Sequence, residues 1–417
     1  MPLGLLLVWL FALGTRLWGL GRFNTLVFDE VYFARFARNY LAGEPFFDAH
    51  PPLGKYLIAL GIWLAGGFQP WGYRWLNAVV GSLIPVAAAL LAYLITRRQR
   101  VGLVAGTFVA LDGFFLVESR YALINVYLVF FGVVAQVVWL WGQQWKAQRW
   151  WALMGTGVAL GACVAVKWSG LGFLLGLWLV WGVQRWWMPQ RQRYYTAMDM
   201  VLILPLVVFT VYSLLWLPHL AFHPHSNLWQ VHVQMFNYHR SVASTAHPYC
   251  APWWSWPLLL RPLSYFFQRV HTLSEAVPVI GPPLPMADTA WVYAVHAMFN
   301  PPLLWLSTLA MLAIIPLARR SSAGQFLLLN YAANFLPWVL VSRCLFLYHY
   351  LPAALYSFMT LAVVWDWAWR SPPWGRALSV VVLLLIVSGF LYWLPVYWGL
   401  PLTPQQFFQR MWWRSWI

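Results

Sequence analysis

The apolar positions of this chain gather into long runs separated by short polar connections. A helix that crosses a bilayer needs about 20 mostly apolar residues. The pattern predicts eleven such segments, near 3–20, 74–96, 101–118, 123–142, 151–166, 168–184, 199–217, 303–318, 325–341, 345–366 and 377–395. Leu53 to Phe68 is also apolar but short and broken by glycine, and predicts a helix lying against one membrane face. The first run opens MPLGLLLVWL, with no basic flank before it and no small-residue cleavage site after it, so it is expected to stay as a span. Two longer polar segments, about 21–73 and 218–302, interrupt the runs. The expected organisation is an N-terminal membrane module (1–217) containing the first of these loops, a loop region (218–302), and a four-helix membrane module with a tail (303–417). The fold class is all-α and polytopic.

Composition changes this picture little but excludes two classes. Of 417 residues, 62% are hydrophobic and 9% charged, too few charges to cover a soluble core of that size. The 32 tryptophans suit a protein with aromatic rings at two membrane interfaces. A net charge of +16 raises nucleic acid as a partner. The basic residues, however, lie between apolar runs rather than on one polar surface, which argues for topology and lipid contact instead. Cys163, Cys250 and Cys344 are far apart and match no ligand spacing, so neither a metal site nor a disulfide framework is expected. No cofactor is implied.

Charge then orients the spans. Arg97, Arg98 and Arg100 share one short loop; Lys146 and Arg149, then Arg185, Arg191 and Arg193, then Arg319 and Arg320, then Arg370 and Arg376 fill others. These loops lack acidic residues, and by the positive-inside rule they are cytoplasmic. Both long polar segments and the tail then face the periplasm or lumen, and the chain is expected in the plasma (inner) membrane.

Only ten residues are acidic, and Asp29, Glu30, Glu44 and Asp48 share the first outer loop. Adjacent carboxylates raise each other's pKa, so the pair Asp29–Glu30 reads either as the acidic start of a helix or as a reactive site. Arg16 and Arg74 sit at the outer edges of the flanking spans, where an arginine costs about 2.5–3.5 kcal/mol unless it snorkels or meets an anion. His50, before Pro51 and Pro52, leads to Lys55, at the depth of a lipid phosphate; Lys55 reads first as an interfacial anchor. Lys167, Arg343, Tyr348 and His349 lie at the same face, as carrier-lipid contacts, snorkelling cations or a packed tyrosine–histidine pair. The histidine tract His219 to His247 has no ligand spacing and reads as an interfacial or acceptor-facing loop. Glu118 and Arg120 are expected to pair with each other.

Several segments in this order carry a resemblance: FDEVYFARFARNYLAGEPFFDAHPPLGKYLIALG, GYRWLNAVVGSLIPV, ESRYALINVYLVFF, VAVKWSGLG, HPYCAPWWSWPLLLRPLSYFF, SRCLFLYHYLPAALYS and PVYWGLPLTPQQFFQRMWWRSWI. The chain resembles the protein O-mannosyltransferases, GT-C glycosyltransferases that move mannose from a polyprenyl-phosphate carrier to Ser or Thr of an exported polypeptide. The resemblance implies a GT-C architecture, a lipid-linked donor, a secreted polypeptide acceptor and contact with the export machinery. It makes module 1–217 catalytic, with Asp29 and Glu30 on the family's acidic pair and Arg16 and Arg74 on arginines used near it. Asn125 departs from the family pattern, which has an acid there, and 218–302 is too short for the β-rich domain of fungal and animal members.

The residue types suit that chemistry. A carboxylate can deprotonate the acceptor hydroxyl, and guanidinium groups can hold the departing phosphate. Asp29 is expected as general base and Glu30 as the residue positioning the acceptor. Arg16, Arg74, His50, Lys55, Lys167, Arg343 and His349 are expected at the donor, with no metal. A single base implies inversion. The rival readings are a related transferase of another sugar to a lipid or cell-wall polymer, and a transporter of polyprenyl-linked sugars.

Overall fold

The computed structural model describes residues 1–144, 146–187, 195–222, 226–243, 247–270, 291–319, 321–371 and 373–417. Arg191, Arg193, Arg320, His223 and His225 lie outside them. Helix dominates. α1 (Pro2–Leu17) is followed by the first long loop, which carries α2 (Glu30–Ala42) and α3 (Leu53–Leu64). Then come α4 (Pro70–Thr96), α5 (Gln99–Ala110), α6 (Gly113–Arg120), α7 (Asn125–Gly142), α8 (Arg149–Val166), α9 (Leu171–Trp187) and α10 (Leu204–Ala221). The second long loop holds α11 (Leu228–Ser241) and two strands, β1 (Leu263–Val270) and β2 (Trp291–Ala297). Four more helices, α12 (Pro301–Ala318), α13 (Ser322–Phe335), α14 (Leu351–Arg370) and α15 (Trp374–Trp398), precede β3 (Pro401–Leu402) and α16 (Pro404–Arg410).

Every apolar run predicted to span falls on helix. By length and composition, seven helical stretches among the described residues can cross a membrane: α4, α7, α8, Asp199–Ala221, α12, Leu347–Arg370 and α15. α5 and α6 make an eighth if counted as one span bent by 60°. The expected count of eleven is not reached by length alone. α1, α9 and α13 cover three of the expected runs with 16, 17 and 14 residues. For α13 the cause is local: its run ends in a 3₁₀ turn at Leu336–Leu340 that contains Pro337.

α14 is the most enclosed span, whereas α10, α12 and α15 turn Leu, Ile, Val and Phe side chains outward. An apolar outward face is what lipid requires. Exposed tryptophans sit near span ends, among them Trp141, Trp151, Trp186 and Trp374 at one end and Trp63, Trp71, Trp254 and Trp412 at the other.

The short basic loops gather. Arg98 and Arg370 reach Asp366 at 3.1 Å and Arg100 at 3.7 Å, which brings the connections after α4 and α14 to one end. The Met1 amino group reaches Gln99 Oε1 at 3.3 Å, so the N-terminus is there too. The other end collects the long loops. The 27 residues of α4 span about 40 Å between the two.

The small sheet was not expected. β1, β2 and β3 pair antiparallel in that order, with Leu263 opposite Ala297 and Tyr293 opposite Pro401, so the tail docks on the second loop. Arg261 binds the Pro248, Ser415 and Ile417 carbonyls and fastens the same corner. The cysteine reading also needs correction: Cys250 and Cys344 form a disulfide across 94 residues, joining the second loop to the segment before α14. Linear spacing carries no information on a pairing made by the packing of distant loops.

A cross-link closing so long a loop restricts the unfolded chain. Cys250→Ser or Cys344→Ser should lower the thermal midpoint in detergent, by the equivalent of about 2–4 kcal/mol. Reductant should reproduce the loss in the wild type and leave the serine variants unmoved; equal midpoints throughout would show the bridge to be idle.

Candidate active site

The first loop is shaped by two arginines that bind backbone. Arg120 donates to the carbonyls of Thr15, Arg16, Trp18 and Gly19 at 2.6–3.2 Å, covering the bare C-terminal end of α1 with a cation. It does not pair with Glu118. Arg74 uses all five N–H donors: to the carbonyls of Leu20, Phe23 and Thr25 and, in a fork, to both oxygens of Glu30 at 2.7 and 2.8 Å. Glu30 also accepts from the amides of Val27 and Ala122, each at 2.8 Å. Both side chains are fully buried.

Five expectations change here. Arg74 has no donor left for a phosphate, and Glu30 has its oxygens filled, so neither is placed to hold substrate. Lys55 is buried, paired with Asp48 and bonded to the His50 carbonyl at 2.7 Å; it fixes the HPP turn rather than facing a lipid. Arg16 is buried below the loop, donating to Ala12 O at 3.2 Å, and His349 is stacked among Trp256, Trp338 and Tyr348 with its Nδ1 on the Phe346 backbone. The packed-pair reading describes His349.

What the fixed loop presents is Asp29. It stands at the N-terminus of α2, but its carboxylate makes no capping bond to the helix. The side chain is half-buried, and burial pushes its pKa up to about 6, with Lys167 pulling downward and Asp48 upward. Beside it, Lys167 ends α8, its ammonium over the Tyr348 ring at 4.5 Å and on Asn125 Oδ1 at 3.2 Å. Burial, reinforced by Arg343, lowers Lys167 to about 8, so it remains charged at neutral pH.

Lys167, His50 and Arg343 line one cavity of about 1070 Å³. His239 and Arg240 of α11 complete its polar rim, and His239 bonds Ala49 O at 2.9 Å. From this rim the wall turns apolar along α9, with Leu171, Leu174, Leu175 and Trp178, and along Pro337, Trp338 and Leu340. Gly54 lets α3 approach: a Cβ there would meet Ile124 at 2.6 Å. A groove that is cationic at its head and apolar along its length suits a long lipid with an anionic head. The sequence marked Lys167, His50 and Arg343; His239, Arg240 and Trp168 carried no distinguishing spacing and were placed only by folding.

The family model described as dolichyl-phosphate-mannose-protein mannosyltransferase matches residues 6–71 and 67–227, more than half of the chain. The chain belongs to the protein O-mannosyltransferase family. A second model, the C-terminal four-transmembrane region of protein O-mannosyltransferases, matches 224–416. Polyprenol-phosphate-mannose–protein mannosyltransferase of Mycobacterium tuberculosis is 27% identical over 98% of this chain and 91% of its own length. The Saccharomyces cerevisiae protein O-mannosyltransferase complex, solved bound to its sugar donor, superposes with TM-score 0.84 at 16% identity, covering 100% of this chain and 92% of that one. ArnT of Cupriavidus metallidurans, solved with undecaprenyl phosphate, has TM-score 0.58 at 17% identity, covering 94% and 63%. These likenesses confirm the GT-C architecture. In this O-mannosyltransferase the acidic pair is thus divided: Glu30 is bound into the scaffold and Asp29 is free.

Removing one partner of a buried ion pair costs about 3–5 kcal/mol because the other charge stays behind. Arg74→Lys and Glu30→Gln should therefore lose thermal stability and folded yield. Arg74→Met/Glu30→Met should not recover it, since five backbone groups lose partners too. Normal stability in Arg74→Lys with a raised donor KM would return Arg74 to the donor site.

Proposed function

We propose that this O-mannosyltransferase moves mannose from a polyprenyl-phosphate carrier to Ser or Thr hydroxyls of exported polypeptides, with Asp29 as general base. Family membership supports the reaction class. The observation that carries the mechanism is the unbonded Asp29 carboxylate beside a cation-headed apolar groove. The polyprenyl chain lies along α9 and Trp338, and its phosphate meets Lys167, Arg343 and His50. The acceptor oxygen attacks the anomeric carbon as Asp29 takes its proton. The carbon–oxygen bond to phosphate breaks, and the new phosphate charge is neutralised by Lys167 and Arg343.

The carboxylate inventory supports inversion. A retaining route needs a nucleophile and a separate acid–base. Near Asp29, Glu30 is filled by Arg74, Asp48 is paired with Lys55, and Glu118 is bonded by Tyr265 and Asn125. One free carboxylate supports direct displacement.

The site lies on the periplasmic face of the inner membrane in this reading. The end with Met1, Arg98 and Arg370 is cytoplasmic by its basic charge. Acceptors then reach the site as they emerge from the export machinery. Single cysteines at 98 and 44 in a background lacking Cys163 should label from opposite sides of sealed vesicles; labelling from one side would overturn the topology.

Purified protein with labelled polyprenyl-phosphate mannose and a Ser/Thr peptide tests the reaction. Asp29→Asn should reduce transfer at least about a hundredfold while retaining donor binding. The raised pKa sets the sign of the pH dependence: the base is ionised above about pH 6, so wild-type kcat should fall as pH drops through that value. Wild-type turnover in Asp29→Asn with the same acid limb would remove Asp29 from the role.

A further inference from the structure

We propose that Tyr265, on β1 of the second long loop, is a positioning residue for both reactive ends of the site. It aims Asp29 through Phe28 and holds Lys167 through Glu118 and Asn125. The inference rests on the roles proposed for Asp29 and Lys167.

Phe28 immediately precedes Asp29 and has φ +52°, a left-handed conformation that side-chain-bearing residues adopt rarely and keep only when their surroundings hold them. What holds it is a ring. Phe28 and Tyr265 stack with centroids 4.1 Å apart and planes within 9°. The next residue along β1, Phe266, rests on Phe23 of the same loop at 4.6 Å. The direction in which the chain leaves Phe28 decides where the Asp29 carboxylate begins, so β1 grips the loop where its geometry is least favourable.

The phenol does separate work. Tyr265 donates to Glu118 Oε1 at 2.5 Å, and Asn125 Nδ2 approaches the same carboxylate at 3.3 and 3.4 Å. Asn125 Oδ1 accepts from the Lys167 ammonium at 3.2 Å. All four residues are buried. The order ammonium, amide, carboxylate, phenol leaves Asn125 one workable orientation: oxygen toward the cation and nitrogen toward Glu118. A carboxylate at 125 would instead face Glu118 with a second negative charge. Lys167, pinned at one end by this relay, lines the donor cavity at the other.

The two functions separate by substitution. Tyr265→Phe keeps the stacking ring and loses the hydroxyl, so it should weaken binding of polyprenyl phosphate and raise the donor KM about tenfold, the effect of one hydrogen bond to a charged group, with kcat nearly unchanged. Tyr265→Leu loses the ring as well, and kcat should fall by about a further tenfold as Asp29 drifts. Glu118→Gln added to Tyr265→Phe should add little, because both act through one relay. Wild-type donor binding and KM in Tyr265→Phe would overturn the relay. Equal losses in the Phe and Leu variants, tracking a lowered thermal midpoint, would reduce Tyr265 to a structural role. Binding of polyprenyl phosphate requires no sugar transfer, so this arm reads the relay even if the acceptor reading fails; Asp29→Asn, run alongside, tests the base separately.

Discussion

A guanidinium with no exposed surface, sharing its five hydrogens between one carboxylate and three carbonyls, fixes the outer face of this protein. Arg74 belongs to a long span, and Glu30 to the helix that opens with Asp29. Joining them inside the membrane-facing interior converts an irregular polar loop into a rigid rim. A buried pair of this kind is poor evidence for net stability, because desolvation consumes much of the attraction. Its contribution is specificity: wrong arrangements of residues 20–30 leave an arginine, a glutamate and several backbone groups without partners.

The charges of the outer face fall into two sets. Arg74, Glu30, Lys55 and Asp48 are satisfied by each other or by backbone, Arg120 is bound to four backbone carbonyls, and all five hold shape. Asp29, Lys167 and Arg343 retain capacity toward the cavity and its approach, with the uncharged His50 beside them. The second set works because the first is immobile. Preorganised charges spend little on reorientation when the phosphate charge develops, and the apolar groove excludes the water that would screen them.

The sequence revealed the long spans and the acidic loop because both depend on local composition. Runs such as those in α4 and α15 declare themselves by length, and the first loop by holding four of ten acids. The division between Asp29 and Glu30 was not legible: adjacent carboxylates look alike until the chain places one against Arg74. Arg16 and Arg74 looked like donor contacts because an arginine at a span edge needs an anion, and in Arg74 that anion proved to be a protein carboxylate. The β1–β3 sheet was hidden in aromatic loop sequence that hydropathy cannot separate from an interfacial segment. The Cys250–Cys344 bridge and the Tyr265–Glu118 bond depend on contacts across 94 and 147 residues, which no local pattern encodes.

The break between α5 and α6 bears on how the protein is made. At the break, Asp112 caps α6 through Phe115 N and also accepts from Asn300 N at 2.9 Å, while the Asn300 amide reaches Leu111 O and Ile386 O. Residues emerging early from the ribosome thus wait for a partner almost two hundred positions downstream. Until Asn300 arrives, Asp112 and the Leu111 carbonyl at the bend of that half-helix lack these partners inside the bilayer. The N-terminal half is therefore inserted before it is finished, and its final geometry is a late event set by the C-terminal helices. Chains truncated between the halves would not yield a smaller working enzyme but an orphan intermediate, the kind of species that membrane quality control removes.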